Sequence, residues 1–166
     1  MKWALRKLLS IAIRIGIVIG LIVVIWECFY GVQVKSLNRD KKLPGDVITH
    51  PATVTRVIDG DTFEADLNGE TITVRLIGVD SPESVHPDEA KNTEEGILAS
   101  NYTKEKLEGK EVELEYDVET EDSYGRTLAY VWLDGELYNK KLLDDGYAVL
   151  MTIPPNIKYV DVLLSK

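Results

Sequence analysis

Residues 71–83 read T-I-T-V-R-L-I-G-V-D-S-P-E. The first nine are rich in β-branched and leucine positions, as in a strand packed into a core. Arg75 interrupts that run, and Asp80 and Glu83 close it around a proline. Charged groups at the margin of a core need water, a metal or one another. Upstream, T-F-E-A-D-L (62–67) alternates and then meets L-N-G-E. Its Asn-Gly pair is a strong hairpin signal, so residues 62–79 read as two antiparallel strands joined by a two-residue turn.

Three more runs extend the pattern. A-T-V-T-R-V-I (52–58) ends at D-G-D, E-V-E-L-E-Y (111–116) alternates acidic and apolar residues, and T-L-A-Y-V-W-L (127–133) leads into D-G-E-L. Between the third and fourth runs, residues 93–110 place Ile97, Leu98, Tyr102 and Leu107 on one helical face. Thr93 or Asn92 serves as the cap and Gly109 as the stop. A second, short helix fits Y-N-K-K-L-L-D-D-G, ending at Gly146. Three meandering strands, a helix and two further strands predict a five-stranded OB-type β-barrel with helices, an α+β domain over residues 51–166.

The chain before that domain has a different character. From Leu8 to Trp26 it is apolar apart from Ser10 and Arg14. As a helix this run spans roughly 28 Å, close to the thickness of a hydrocarbon core. A cleaved signal peptide is the rival reading, but W-E-C-F-Y-G-V offers bulky residues where a cleavage site wants small ones. The expectation is one transmembrane helix at about residues 8–30 within an anchor of residues 1–35, followed by a polar linker at 36–50 that includes His50. Lys2, Arg6 and Lys7 precede the apolar run, whereas Lys35, Arg39, Lys41 and Lys42 follow it. A short tail kept inside gives a single-pass protein of the cell membrane with an extracytoplasmic domain. Cys28 is the sole cysteine, which excludes an internal disulfide.

Charge divides at the same place. Residues 1–50 carry 8 Lys and Arg against 3 Asp and Glu, a net of +5, and residues 51–166 carry 11 against 25, a net of −14. A domain of that sign is ill suited to gripping long nucleic acid by counterion release. Short or single-stranded chains fit it better.

Three polar clusters fall at strand ends: Asp59 and Asp61 in V-I-D-G-D-T; Arg75 with Asp80, Ser81 and Glu83; and Asp122, Tyr124 and Arg126 in D-S-Y-G-R-T. Each alone is an acceptable turn. Together they form a chemical inventory. Two aspartates and a loop carbonyl suit a hard cation such as Ca²⁺. Two arginine forks match phosphate oxygens. A further glutamate can take a proton from water. These are the parts that an in-line attack on a phosphodiester needs.

The stretches V-I-D-G-D-T, V-R-L-I-G-V-D-S-P-E, D-S-Y-G-R-T-L-A-Y-V and P-P-N-I-K-Y-V-D resemble the staphylococcal nuclease (thermonuclease) family, in order and spacing, over residues 52–161. The resemblance implies an OB-type barrel with three helices and Ca²⁺-dependent hydrolysis of DNA and RNA that leaves 3′-phosphate ends. Carried over position by position, it implies Asp61 and Asp80 as metal carboxylates and the Ser81 carbonyl as a backbone ligand. It likewise implies Glu83 as general base, Arg75 and Arg126 on the scissile phosphate, Asp59 as a supporting carboxylate and Tyr124 at a nucleotide phosphate. A monomer is expected.

Four departures concern grip and stability. Ser123 stands where the family has a lysine before the tyrosine, Asp88 and Glu89 follow Glu83 where lysines are usual, and V-L-M-T-I replaces tyrosines before P-P-N. Met151 or Ile153 can still offer an apolar platform, and His86 reads as a solvated loop residue. The closing Y-V-D-V-L-L-S-K gives only a short terminal helix. The negative charge, the missing lysines and the short terminus favour the alternative of a non-catalytic OB-fold module that binds a protein or nucleic acid; a structural Ca²⁺-binding domain at the cell surface is a third option. The set Asp61, Arg75, Asp80, Glu83 and Arg126 favours the enzyme.

Overall fold

A computed structural model describes residues 47–165 apart from 86, 87, 89 and 91. The expected anchor, most of the linker and His86 lie outside the described residues. Among the described residues, no helix is long and apolar enough to cross a membrane.

The strands are β1 (His50–Asp59), β2 (Thr62–Leu67), β3 (Glu70–Leu76), β4 (Val79–Asp80), β5 (Glu111–Glu115), β6 (Thr127–Leu133), β7 (Glu136–Leu137) and β8 (Val149–Leu150). The helices are α1 (Glu94–Leu107), α2 (Tyr138–Asp144) and α3 (Val160–Leu164). Sheet order is β3-β2-β1-β5-β6-β7, and a parallel β3–β6 pairing closes the first five members into a barrel. Closure leaves the five long strands without a free edge.

Local chemistry explains the register. Asn68 (φ 58°) and Gly69 (φ 90°) both adopt left-handed geometry, so Leu67 pairs directly with Glu70 across a two-residue turn. Asp66 Oδ1 accepts the Gly69 N–H at 2.9 Å and fixes that turn. Inward positions Val54, Phe63, Ala65, Val74, Val112, Leu114, Ala129 and Val131 fill the barrel, and Leu107, Tyr138 and Leu142 cover it from the helices. Each large apolar side chain buried this way contributes about 1.5–3 kcal/mol.

Several expectations need correction. The third run does not continue straight through residues 71–79. β3 stops at Leu76, Gly78 turns the chain at φ 80°, and β4 then pairs with β8 instead. Asn139 holds this bend by donating from Nδ2 to the Ile77 carbonyl at 2.8 Å. Nor is the buried face of α1 the apolar one. Ile97 and Leu98 are exposed, and Gly96, Ala99, Thr103 and Leu107 face the barrel. Small residues win that face because α1 lies close against the D-G-D turn: the Thr103 hydroxyl donates to the Gly60 carbonyl at 2.6 Å. His50 opens β1 with its ring stacked on Tyr116 at 4.7 Å.

The last segment is tied down by polar contacts. Glu115, itself buried, accepts from Trp132 Nε1 at 2.7 Å and from the Tyr159 hydroxyl at 3.0 Å, and pairs with Lys158. From α3, Leu163 buries against Ile77 and Tyr130.

Candidate active site

The bend at Gly78 brings the site together. Arg75 lies in β3 opposite Thr62 of β2, so its side chain starts one residue from Asp61 across the ladder. From there Nη1 donates to the carbonyls of Leu76 (3.1 Å) and Val79 (2.8 Å) and stands 3.2 Å from Asp61 Oδ2. Nη2 donates to Asp80 Oδ1 at 2.8 Å. A straight strand would carry Asp80 some 16 Å from Arg75, at about 3.3 Å per residue. The returning chain lets one guanidinium hold both aspartates.

Asp61 is buried and both of its oxygens have partners. Its Oδ2 accepts the Ser81 N–H at 2.7 Å, and its Oδ1 accepts the Thr62 hydroxyl at 2.9 Å. Asp59, also buried, serves a different partner. Its Oδ1 accepts the Gly60 N–H at 2.8 Å and the Ser84 hydroxyl at 2.6 Å. Glu83 has an exposed side chain, and its backbone carbonyl accepts the Thr93 N–H at 2.9 Å.

Arg126 is anchored in the D-S-Y-G-R turn. Asp122 Oδ2 accepts from Arg126 Nε at 2.7 Å and pairs with Nη2 at 2.7 Å, while Asp122 Oδ1 accepts the N–H groups of Tyr124 and Arg126. Burial pushes the Asp122 carboxyl up, but the hydrogen bonds and charge of Arg126 outweigh this and hold it below the usual carboxylate range. Tyr124 projects outward, with the Arg126 guanidinium 5.4 Å from its ring centre.

Arg75 and Arg126 line the same cavity of about 270 Å³. Leu128, Met151 and Ile153 give it an apolar wall, while Glu119, Glu121, Asp122 and Ser123 supply polar groups. Asp61 and Asp80 both meet Arg75, Ser81 meets Asp61, and Arg126 shares the cavity with Arg75 alone, since Asp61, Asp80, Ser81 and Glu83 are not in its lining. Tyr124 is not in the cavity lining. Asn156 bridges the wall to the acidic turn through both the N–H and the carbonyl of Glu119 at 2.8 Å. The sequence signal for Asn156 was its place in P-P-N. Nothing local marked the contact with Glu119.

The Asp61–Asp80–Ser81 set suits a hard cation. Its donors are oxygens from two carboxylates and a carbonyl, and the Ser81 hydroxyl is a buried polar atom without a hydrogen-bond partner. Leaving such a group unmet costs about 1–3 kcal/mol, so the corner favours a water or hydrated ion. Gly60 keeps that corner open, since a Cβ there would lie 2.7 Å from Ser81 Cβ and Oγ. No cluster of three or more His, Cys, Asp or Glu side chains occurs among the described residues. A cation here would therefore take its remaining oxygens from backbone, water and substrate.

Comparison with known proteins gives the family. The family model for staphylococcal nuclease homologues matches residues 73–166. The thermonuclease of Staphylococcus intermedius is 50% identical over 119 residues, covering 72% of this chain and 70% of that protein. The thermonuclease of Staphylococcus hyicus is 48% identical over 106 residues, 64% of this chain and 62% of its own length. Endonuclease YncB of Bacillus subtilis is 40% identical over 111 residues, 66% of this chain and 52% of its own length. With more than half of its length matched to the family model and a relative half identical to it, the chain belongs to the staphylococcal nuclease family.

Proposed function

We propose that this protein is a membrane-tethered, Ca²⁺-dependent nuclease that cleaves DNA, RNA or both into fragments ending in 3′-phosphate. As a member of its family it is a phosphodiester hydrolase, and metal dependence is general in that family. The observation that carries the finer reading is the shared cavity. Two arginines from separate elements face one space beside two aspartates that meet on one of them.

Each group then has a task. Asp61, Asp80 and the Ser81 carbonyl hold Ca²⁺, which when bound supplies positive charge against the phosphoryl oxygens. Glu83, whose side chain is exposed, takes the proton from the attacking water. The water oxygen bonds to phosphorus, the bond to the 5′ oxygen breaks, that oxygen takes a proton from solvent and leaves as a hydroxyl, and the phosphate stays on the 3′ side. Arg75 and Arg126 donate to the oxygens on which charge gathers, and each such donor is worth about 2.7–4 kcal/mol of barrier. Asp59 supports the turn beside Asp61, and Tyr124 reaches outward to a flanking phosphate. The acidic cavity rim and the net of −14 over residues 51–166 favour short or single-stranded substrate. The apolar run at 8–26 supports an anchor in residues 1–35, and with it a linker that ends before β1 at His50 and a monomeric catalytic domain outside the cytoplasm.

The test uses the full-length chain in mild detergent with single-stranded DNA, in Ca²⁺ and in chelator, beside Glu83→Ala. Cutting that requires Ca²⁺ and fails in the variant supports the assignment. Equal cutting in chelator removes the metal, and equal cutting by Glu83→Ala removes the base.

A further inference from the structure

The chain that carries Glu83 is pressed against the first turn of α1. The Thr93 N–H donates to the Glu83 carbonyl at 2.9 Å, and the Thr93 hydroxyl caps the helix by accepting the Gly96 N–H at 3.0 Å. Gly96 is buried in this contact. A Cβ on Gly96 would lie 2.1 Å from the Glu83 carbonyl oxygen, 2.5 Å from its carbon and 2.8 Å from the Pro82 oxygen. All three are backbone atoms, so no side-chain rotation relieves them.

On the other side, the Ser84 hydroxyl donates to Asp59 at 2.6 Å. Glu83 therefore sits between two fixed points, one on α1 and one at the end of β1. Its own side chain is exposed and makes no contribution to its placement that packing would enforce.

We propose that Gly96 and Ser84 are positioning residues for Glu83: Gly96 by lacking a side chain, Ser84 by bonding to Asp59. The inference rests on Glu83 as the base. A methyl group on Gly96 must move to at least the 3.0 Å that real Cβ contacts show, from 2.1 Å. The helix cannot readily yield, because Ala99, Thr103 and Leu107 are buried against the barrel. The exposed Pro82–Glu83 segment yields instead, by close to an ångström. Misplacement of that order costs about 10²-fold in rate. Alanine is the better residue inside a helix, which offsets part of the strain, so the variant should fold with a melting temperature lowered no more than that of Gly60→Ala.

The experiment is a double-mutant cycle on the full-length chain in detergent, reading kcat and KM on a single-stranded oligonucleotide with Ca²⁺. Gly96→Ala should lower kcat by about 10²-fold at unchanged KM, in a protein that still melts cooperatively above the assay temperature. In the Glu83→Ala background the same substitution should cost nothing further. Ser84→Ala should lower kcat in the same way and Ser84→Thr should restore it, which tests the clamp even if Gly96→Ala does not fold. Full kcat in Gly96→Ala, or the same fold-loss with and without Glu83, overturns the proposal. An unimpaired Glu83→Ala single variant overturns the catalytic reading first, and the positioning role with it.

Discussion

Arg75 Nη1 stands 3.2 Å from Asp61 Oδ2, in a side chain that is only 10% exposed, so this arginine is part of the interior as well as of the site. Its partners include two backbone carbonyls and two aspartates. Arg126, at 33% exposure, has one anchoring partner in Asp122. The two arginines of the cavity should therefore fail differently. Arg75→Ala leaves a buried carboxylate without its counter-charge and should destabilise the fold by about 3–5 kcal/mol. Arg126→Ala should leave the denaturation midpoint nearly unchanged while lowering kcat by about 10²–10³-fold. Urea titrations beside single-turnover rates would separate them, and an Arg75→Ala protein as stable as the parent would refute the interior role.

Metal dependence should be visible without catalysis. A cation that binds only the folded chain adds about 2.7 kcal/mol of stability at a hundred times its dissociation constant. Thermal melts in Ca²⁺ and in chelator should differ accordingly. Asp80 is the residue to change, since its side chain is 46% exposed and its removal leaves the core intact. Asp80→Asn should keep the chelator melting temperature and lose most of the Ca²⁺ increment. A full increment in that variant would place the ion elsewhere.

Gly60 is the tightest point of the D-G-D turn. An added Cβ would meet Ser81 Cβ and Oγ at 2.7 Å and Ala99 Cβ at 2.9 Å. Both neighbours are buried, and the Gly60 carbonyl is held by Thr103, whose hydroxyl in turn accepts from Tyr138 at 2.9 Å. Gly60→Ala should therefore cost about 1–3 kcal/mol, as overpacking does. It should also displace Ser81, whose N–H orients Asp61, and so weaken the Ca²⁺ increment. A variant with wild-type melting in both conditions would show that the turn can relax after all.

How much of this could be read from residues alone varies with the range of the interaction. The Leu67–Glu70 turn was legible because Asn-Gly requires two positive φ angles and little else satisfies them. The five long strands were legible from alternation at 62–67 and 111–116 and from β-branched and apolar runs elsewhere, and the nearness of Arg75 to Asp80 from the motif they share. The bend at Gly78 was not, because a glycine inside an apolar run permits a bend without requiring one. The face of α1 was misread because Ile97 and Leu98 carry the hydrophobicity, while the helix approaches the site turn so closely that only Gly96, Ala99 and Thr103 fit. The Ser84–Asp59 and Asn156–Glu119 contacts join residues 25 and 37 positions apart, and no local pattern encodes such pairs.

The contacts of Glu115 make the fold sensitive to alkali. Burial, then the hydrogen bond and charge of Glu115, raise the Tyr159 phenol well above its ordinary value. Burial is likewise the largest cause for Tyr130, which is pushed up to about 12. A group whose folded pKa is raised contributes stability that is complete below its unfolded pKa, about 10 for tyrosine, and that is lost as pH rises through the folded value. Between about pH 10 and 12 the unfolded chain releases these protons and the folded chain keeps them, so stability should fall by about 1.4 kcal/mol per pH unit for each proton. Tyr102, pushed up to about 12, and Tyr116 and Tyr138, also raised by burial, add to the same slope, so Tyr159→Phe should lower it by about 1.4 kcal/mol per pH unit without abolishing it. At neutral pH it should cost about 1.5–3 kcal/mol, the worth of a hydrogen bond to a charged acceptor. Trp132 donates to the same carboxylate at 2.7 Å, so its fluorescence reports the contact directly. Urea midpoints from pH 8 to 12, followed by that signal, test both parts, and an identical slope in Tyr159→Phe would mean that the alkaline transition belongs to other groups.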